Sequence, residues 1–179
     1  RFPRMVRDLA HDQNKEVDFE IQGQDIEIDR TVIDRLGEPL IHLLRNAVDH
    51  GIEKTGKIHL TALQERDKVI IEVANEGKPI DWQKVVDTAV KKGIISNEKG
   101  KEYTRDLQTT NYKLQTNIQD LLYRVSTKDK VTEVSGRGVG MSIVKNVIES
   151  LGGTVRFESN VGGTKFILSL PLSIAIIQA

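Results

Sequence analysis

A chain of 179 residues fits one domain and can bury roughly 70% of the surface that its unfolded form exposes. Its 26 basic and 26 acidic residues cancel, which excludes the one-sided field that draws a protein to nucleic acid or anionic lipid, so any phosphate site has to be local. Cysteine is absent, which excludes thiolate nucleophiles, zinc knuckles and disulfides and argues against redox chemistry. The longest apolar runs, such as that around Ile174 to Ile177, fall far short of the ~20 residues a membrane span needs, and no signal peptide opens the sequence. A soluble cytoplasmic protein without membrane insertion is therefore expected. Because the sequence starts at Arg1 without an initiator Met and stops inside an apolar stretch, it is also expected to be a piece of a larger chain.

From the N-terminus, Phe2, Met5, Val6 and Leu9 recur with charges between them, the pattern of an amphipathic helix. Residues 16–21 alternate, with Val17, Phe19 and Ile21 on one face, as a half-buried strand does; Ile26 and Ile28 form a second short alternating stretch after a turn at Gly23. Asp29 is placed to cap a long helix carrying Leu36, Leu40, Leu43, Leu44 and Ala47, and Gly51 sits where a helix end favours a left-handed residue. Residues 57–63 and 68–73 read as a β-hairpin, residues 82–92 as a helix stopped by Gly93, and the polar stretch 96–117 as a mobile surface excursion. Residues 141–151 give a strongly apolar-faced helix, followed by strands at 154–158 and 164–170. This order predicts an α+β two-layer sandwich, a mixed and mostly antiparallel sheet with helices on one face.

Three segments carry chemistry. In HLLRNAVDHG, His42, Asn46, Asp49 and His50, with Arg45 beside them, fall on one side of a helix whose other side is apolar. The Asn46 amide oxygen is a suitable hard ligand for Mg2+, although a solvated helix face would carry the same residues. In SGRGVGM, glycines 136, 138 and 140, with Arg137 and Val139 between them, lead into a helix opened by Met141. Inward-turned amides and a positive helix end there suit a phosphate. The spacing is neither a Rossmann fingerprint nor a Walker loop. Upstream, Ser126, Thr127 and Lys128 offer hydroxyls and a cation for a terminal phosphate, in a segment (125–133) expected to act as a lid; a plain charged turn is the alternative. Third, residues 75–81 (NEGKPID) follow the strand ending at Val73 and, alone, read as an ordinary strand-to-helix turn.

In this order the three segments resemble the GHKL superfamily of ATP-binding domains, which includes histidine kinases, DNA gyrase, Hsp90 and MutL. Within it they resemble the CheA family of chemotaxis histidine kinases. GEPLIHLLRNAVDHGIE looks like its N box, VSTKDKVTEVSGRGVGMSIVKNVIESLGG like its lid and second glycine box, and GGTKFILSLPLSIAIIQA like its final strands. The resemblance runs from Arg4 to Ala179 and weakens over 96–124. It implies a Bergerat-type nucleotide domain over 1–172 and, at 173–179, the start of a linker to a C-terminal regulatory domain. It further implies Asn46 as Mg2+ ligand with His42 beside it, His50 and Lys128 near the triphosphate, the three glycines wrapped around it, and Thr164 near the adenine. The implied reaction moves the ATP γ-phosphoryl group to a histidine on a separate phosphotransfer domain. The implied partners are that domain, a coupling protein and chemoreceptors through neighbouring domains, and indirectly a response regulator, in a homodimer formed elsewhere in the full protein.

The sequence departs from the pattern where the first glycine box, Asp-x-Gly-x-Gly, reads Asn75, Gly77 and Pro79. Loss of the carboxylate is expected to weaken the adenine end, so that Asn75→Asp would tighten ATP, with Pro79 as a second obstacle. The loop after the N box and the segment before Ser126 are also shorter than the family's. A degenerate nucleotide module with a structural or regulatory role in a signalling array is the alternative function. A topoisomerase or chaperone ATPase is disfavoured by the lid motif.

Overall fold

The computed structural model describes residues 1–108, 114–127 and 141–172, with backbone alone at 114–117 and 126–127. Among these described residues, six α-helices and five strands follow in the order α1 (Phe2–Asp12), β1 (Glu16–Gln22), α2 (Arg30–Asn46), β2 (Thr55–Glu65), β3 (Lys68–Glu76), α3 (Trp82–Lys91), α4 (Asn97–Leu107), α5 (Leu114–Thr127), α6 (Met141–Ser150), β4 (Thr154–Asn160) and β5 (Gly163–Pro171). Contacts divide the chain into two units, one of Arg1–Ile80 with the chain from Val144, the other of Asp81–Ile143.

In the first unit the strands form one sheet of order β1-β2-β3-β5-β4, parallel only between β1 and β2. The expected mixed, mostly antiparallel sheet is present. One face carries Ile58, Leu60, Val69, Ile71, Val73, Phe166 and Leu168, all buried, beneath the apolar sides of α1 and α2. Leu43 and Leu44 of α2 are at most 1% exposed, and each such side chain contributes about 1.5–3 kcal/mol by leaving water. Phe157 and Phe166, cross-strand partners, stack with centroids 5.3 Å apart. The opposite face is charged, with Lys57 against Asp18, His59 between Glu20 and Glu76, and Lys165 against Glu72.

Local signals read from the sequence hold in part. Asp29 caps α2 by accepting from Thr31 N at 2.8 Å. The alternating stretch at Ile26 and Ile28 forms no strand; residues 24–29 run as a turn and extended chain into that cap. Gly51 does not end α2 in a left-handed conformation either. The helix passes instead into a π-turn over Ala47–Gly51, closed by Ile52 in an extended conformation. A π-turn inside a helix is a recurrent mark of functional sites.

In the second unit, the stretch expected to be a surface excursion is largely helical. Ser96 caps α4 by accepting from Lys99 N at 3.1 Å, as Asp81 caps α3 from Lys84 N. Its small core is Val86, Ala89 and Leu121, joined by Ile94, Ile95, Tyr103, Leu107 and Val125. Helix α4 buries only Gly100, where an added Cβ would lie 2.4 Å from Val90 Cγ2. A helix that packs through a glycine leaves a faint apolar period, which is why its sequence looks like loop.

Candidate nucleotide site

The π-turn, the turn after β3 and the tip of the β4–β5 hairpin meet in the first unit. Gly51 O accepts from Lys78 N at 2.9 Å and from Asn75 Nδ2 at 3.2 Å, and Gly77 N donates to Gly162 O at 3.2 Å. Only glycine suits positions 51 and 77 here. A Cβ on Gly51 would fall 2.5 Å from Asn75 Cγ, and Gly77 combines φ 154° with a hypothetical Cβ 2.4 Å from Gly51 O.

Asn75 is 8% exposed and Thr164, its register partner on β5, 7%. The Asn75 amide nitrogen faces Gly51 O and, at 3.5 Å, Lys78 O, which fixes the orientation of the amide. Its Oδ1 is left without a hydrogen bond among the described residues, an acceptor at the mouth of the turn. Lys78 O also accepts from Thr164 Oγ1 at 3.4 Å, Thr164 Oγ1 lies 3.1 Å from Ser159 Oγ, and Ser159 Oγ accepts from Ile80 N at 2.6 Å. Pro79 is exposed in this turn. Ser159 was not foreseen, because a serine in an alternating strand gives no sign that its hydroxyl holds the following turn.

On the last turns of α2, His42, Arg45 and Asn46 are half-buried, at the spacing the sequence gives them. His50 is exposed, in the π-turn. Asp49 is tied to the α1–β1 corner: its carboxylate accepts from Gln13 Nε2 and its carbonyl from Lys15 Nζ at 3.1 Å. The sequence offered no means of pairing Asp49 with residues 34 and 36 positions earlier. Among the described residues no group of three or more His, Asp or Glu could hold a metal ion. Mg2+ takes hard oxygen ligands, few of them from protein, and keeps several waters beside substrate phosphates, so the Asn46 amide oxygen suits that ion better than a transition metal.

The remaining expected site residues divide cleanly. Ser126 and Thr127 end α5, and Met141, 3% exposed, opens α6. Lys128, Gly136, Arg137, Gly138, Val139 and Gly140 lie outside the described residues, as does most of the expected lid.

Residues 31–174 match the family described as histidine kinase-, DNA gyrase B-, and HSP90-like ATPase. The chain belongs to this ATPase family. It is 41% identical over 99% of its length to the chemotaxis protein CheA of Halobacterium salinarum and 40% identical over 99% to that of Bacillus subtilis. The aligned length is 192 positions against 179 residues here, so the relatives carry residues that this chain lacks. The chain spans 27% of each of these relatives and corresponds to the ATP-binding domain of CheA. Among solved structures the fold is similar to a histidine kinase domain from Erythrobacter litoralis (TM-score 0.54, 14% identity, 97% of this chain and 62% of that one). It is also similar to the catalytic domain of histidine kinase ThkA (TM-score 0.50, 23% identity, 95% and 93%). Membership of the ATPase family accounts for the α+β sandwich. No helix among the described residues is long and apolar enough to cross a membrane.

Proposed function

We propose that this chain is the catalytic domain of a chemotaxis-type histidine kinase, which holds ATP with Mg2+ and presents the γ-phosphoryl group to a histidine on a separate phosphotransfer domain. The observation that carries the reading is the half-satisfied amide of Asn75. Its nitrogen is spent on Gly51 O and Lys78 O, while its oxygen, without a bond among the described residues, would accept from the exocyclic amino group of adenine, beside Thr164. Asn46 would hold Mg2+ with His42 next to it, and His50 and Lys128 would approach the triphosphate. Glycines 136, 138 and 140, with Arg137, Val139 and Met141, would line it, and Ser126 and Thr127 would close over it.

Mg2+, when bound, offsets charge on the β- and γ-phosphates. The protein's own part is to orient the nucleotide so that an imidazole nitrogen of the incoming domain attacks phosphorus in line, as the bond from phosphorus to the bridging oxygen breaks and ADP leaves. No acceptor histidine is required in this chain. Coupling protein, chemoreceptors, response regulator, a dimer formed through another domain and a cytoplasmic location follow from the same reading.

Calorimetric titration with the non-hydrolysable analogue AMPPNP tests it. One site that requires Mg2+ is expected, and absence of binding at millimolar analogue would refute the reading. Phosphorylation of a supplied phosphotransfer domain then separates an active kinase from a binding module.

A further inference from the structure

We propose that Lys15, assisted by Gln13, is a positioning residue for the nucleotide site: it grips the π-turn at the end of the N-box helix and fixes where Gly51 and His50 sit. This rests on the kinase reading above.

The corner between α1 and β1 is held from both sides. Asn14 adopts a left-handed conformation (φ 55°), with Asn14 N donating to His11 O and Lys15 N to Ala10 O, the paired bonds of a Schellman turn. One residue later, Glu16 N donates to Lys54 O at 2.7 Å, where β1 begins its parallel pairing with β2. The Lys15 backbone therefore has little freedom. Its half-buried ammonium donates to Val48 O at 2.7 Å and Asp49 O at 3.1 Å, while Gln13 Nε2 donates to the Asp49 carboxylate.

These partners are informative. A helix end leaves carbonyls without intrahelical donors and carries partial negative charge, so a cation there takes up both. Two residues beyond Asp49, Gly51 O receives Asn75 Nδ2 and Lys78 N. The π-turn is thus clamped at 48–49 by the α1–β1 corner and at 51 by the adenine-end turn, with exposed His50 between the clamps. Loosening the first clamp lets the second drift, and with it the amide that reads the base. The entry helix α1 thereby has a direct mechanical connection to the nucleotide site.

The test compares Lys15→Met, which keeps the apolar stem and removes the donors, with Lys15→Arg, which restores donors. AMPPNP affinity in the presence of Mg2+ should weaken on the order of tenfold in Lys15→Met and recover in large part in Lys15→Arg. In the ligand-free chain, amide exchange at 50–52 should accelerate in Lys15→Met while β4 and β5 keep the parent's rates. A folded Lys15→Met chain with the parent's affinity would overturn the proposal, as would uniform acceleration through β4 and β5, which marks general destabilisation. If Lys15→Met does not fold, Gln13→Ala carries the same comparison. If the parent binds no AMPPNP, the kinase reading fails, and the exchange pattern alone decides whether Lys15 positions the π-turn.

Discussion

Asn75 Nδ2 donates to Gly51 O across 3.2 Å, so a residue near the end of β3 is bonded directly to the last residue of the π-turn. An amide does two things here that a carboxylate cannot do together: it donates inward to the protein and, on the proposed reading, keeps an acceptor for the base.

Asn75→Asp is therefore expected to act opposite to the argument from charge alone. An ionised aspartate would aim an acceptor at Gly51 O and Lys78 O, which now receive a donor. The variant should lose about 1–3 kcal/mol of stability by urea denaturation, and AMPPNP affinity should fall instead of rising. A variant as stable as the parent that binds more tightly would show that the carboxylate finds another partner.

Gly51→Ala should be incompatible with the amide in its present place, since the new methyl would lie 2.5 Å from Asn75 Cγ. A loss of about 1–3 kcal/mol is expected, as for other overpacked sites. In a cycle with Asn75→Ala, which removes the obstructing amide, the cost of Gly51→Ala should shrink markedly. Additive effects would place the strain elsewhere.

Asn46→Ala should leave the melting temperature within a few degrees of the parent, because the side chain is half-buried and outside the apolar core. Mg2+-dependent nucleotide binding should be lost. Binding with the parent's affinity and Mg2+ dependence in the folded variant would remove Asn46 as the metal ligand.

Asp29 gives an acid-limb prediction. Hydrogen bonds first from the Thr31 side chain and then from Thr31 N hold its carboxyl below the ordinary carboxylate value. A group lowered on folding contributes stability above its unfolded pKa and loses it as pH falls through the folded one. Asp29→Asn keeps a capping oxygen but cannot titrate, so the fall in stability on acidification should be shallower. Identical acid limbs for parent and variant would show that the cap carries no linkage.

The sheet, the two long apolar-faced helices and the caps at Asp29 and Gly93 were legible because period and turn chemistry are local properties. Helix α4 was not, since Gly100 replaces the large apolar residue that would have marked its inner face. In the site, the sequence placed His42, Asn46 and Thr164 on the elements that carry them, whereas Asn75, read as part of the turn after Val73, lies inside β3 as the partner of Thr164. It could not show that Asp49 is bonded to Gln13 and Lys15, or that Gly51 serves the Asn75 side chain instead of a helix cap. Both facts depend on groups at least 24 positions apart.

The charged face of the sheet sets a condition on how the protein can associate. Any third layer laid over Asp18, Glu20, Lys57, His59, Glu72, Glu76 and Lys165 would have to strip water from seven ionisable side chains at once. Such dehydration costs several kcal/mol per ion before any compensating contact forms. The ladder of opposite charges is weak as a source of stability, its members being mostly well exposed, yet it is effective as a barrier. It keeps one side of a five-stranded sheet from becoming an adhesive surface and leaves association to the edges, loops and helices.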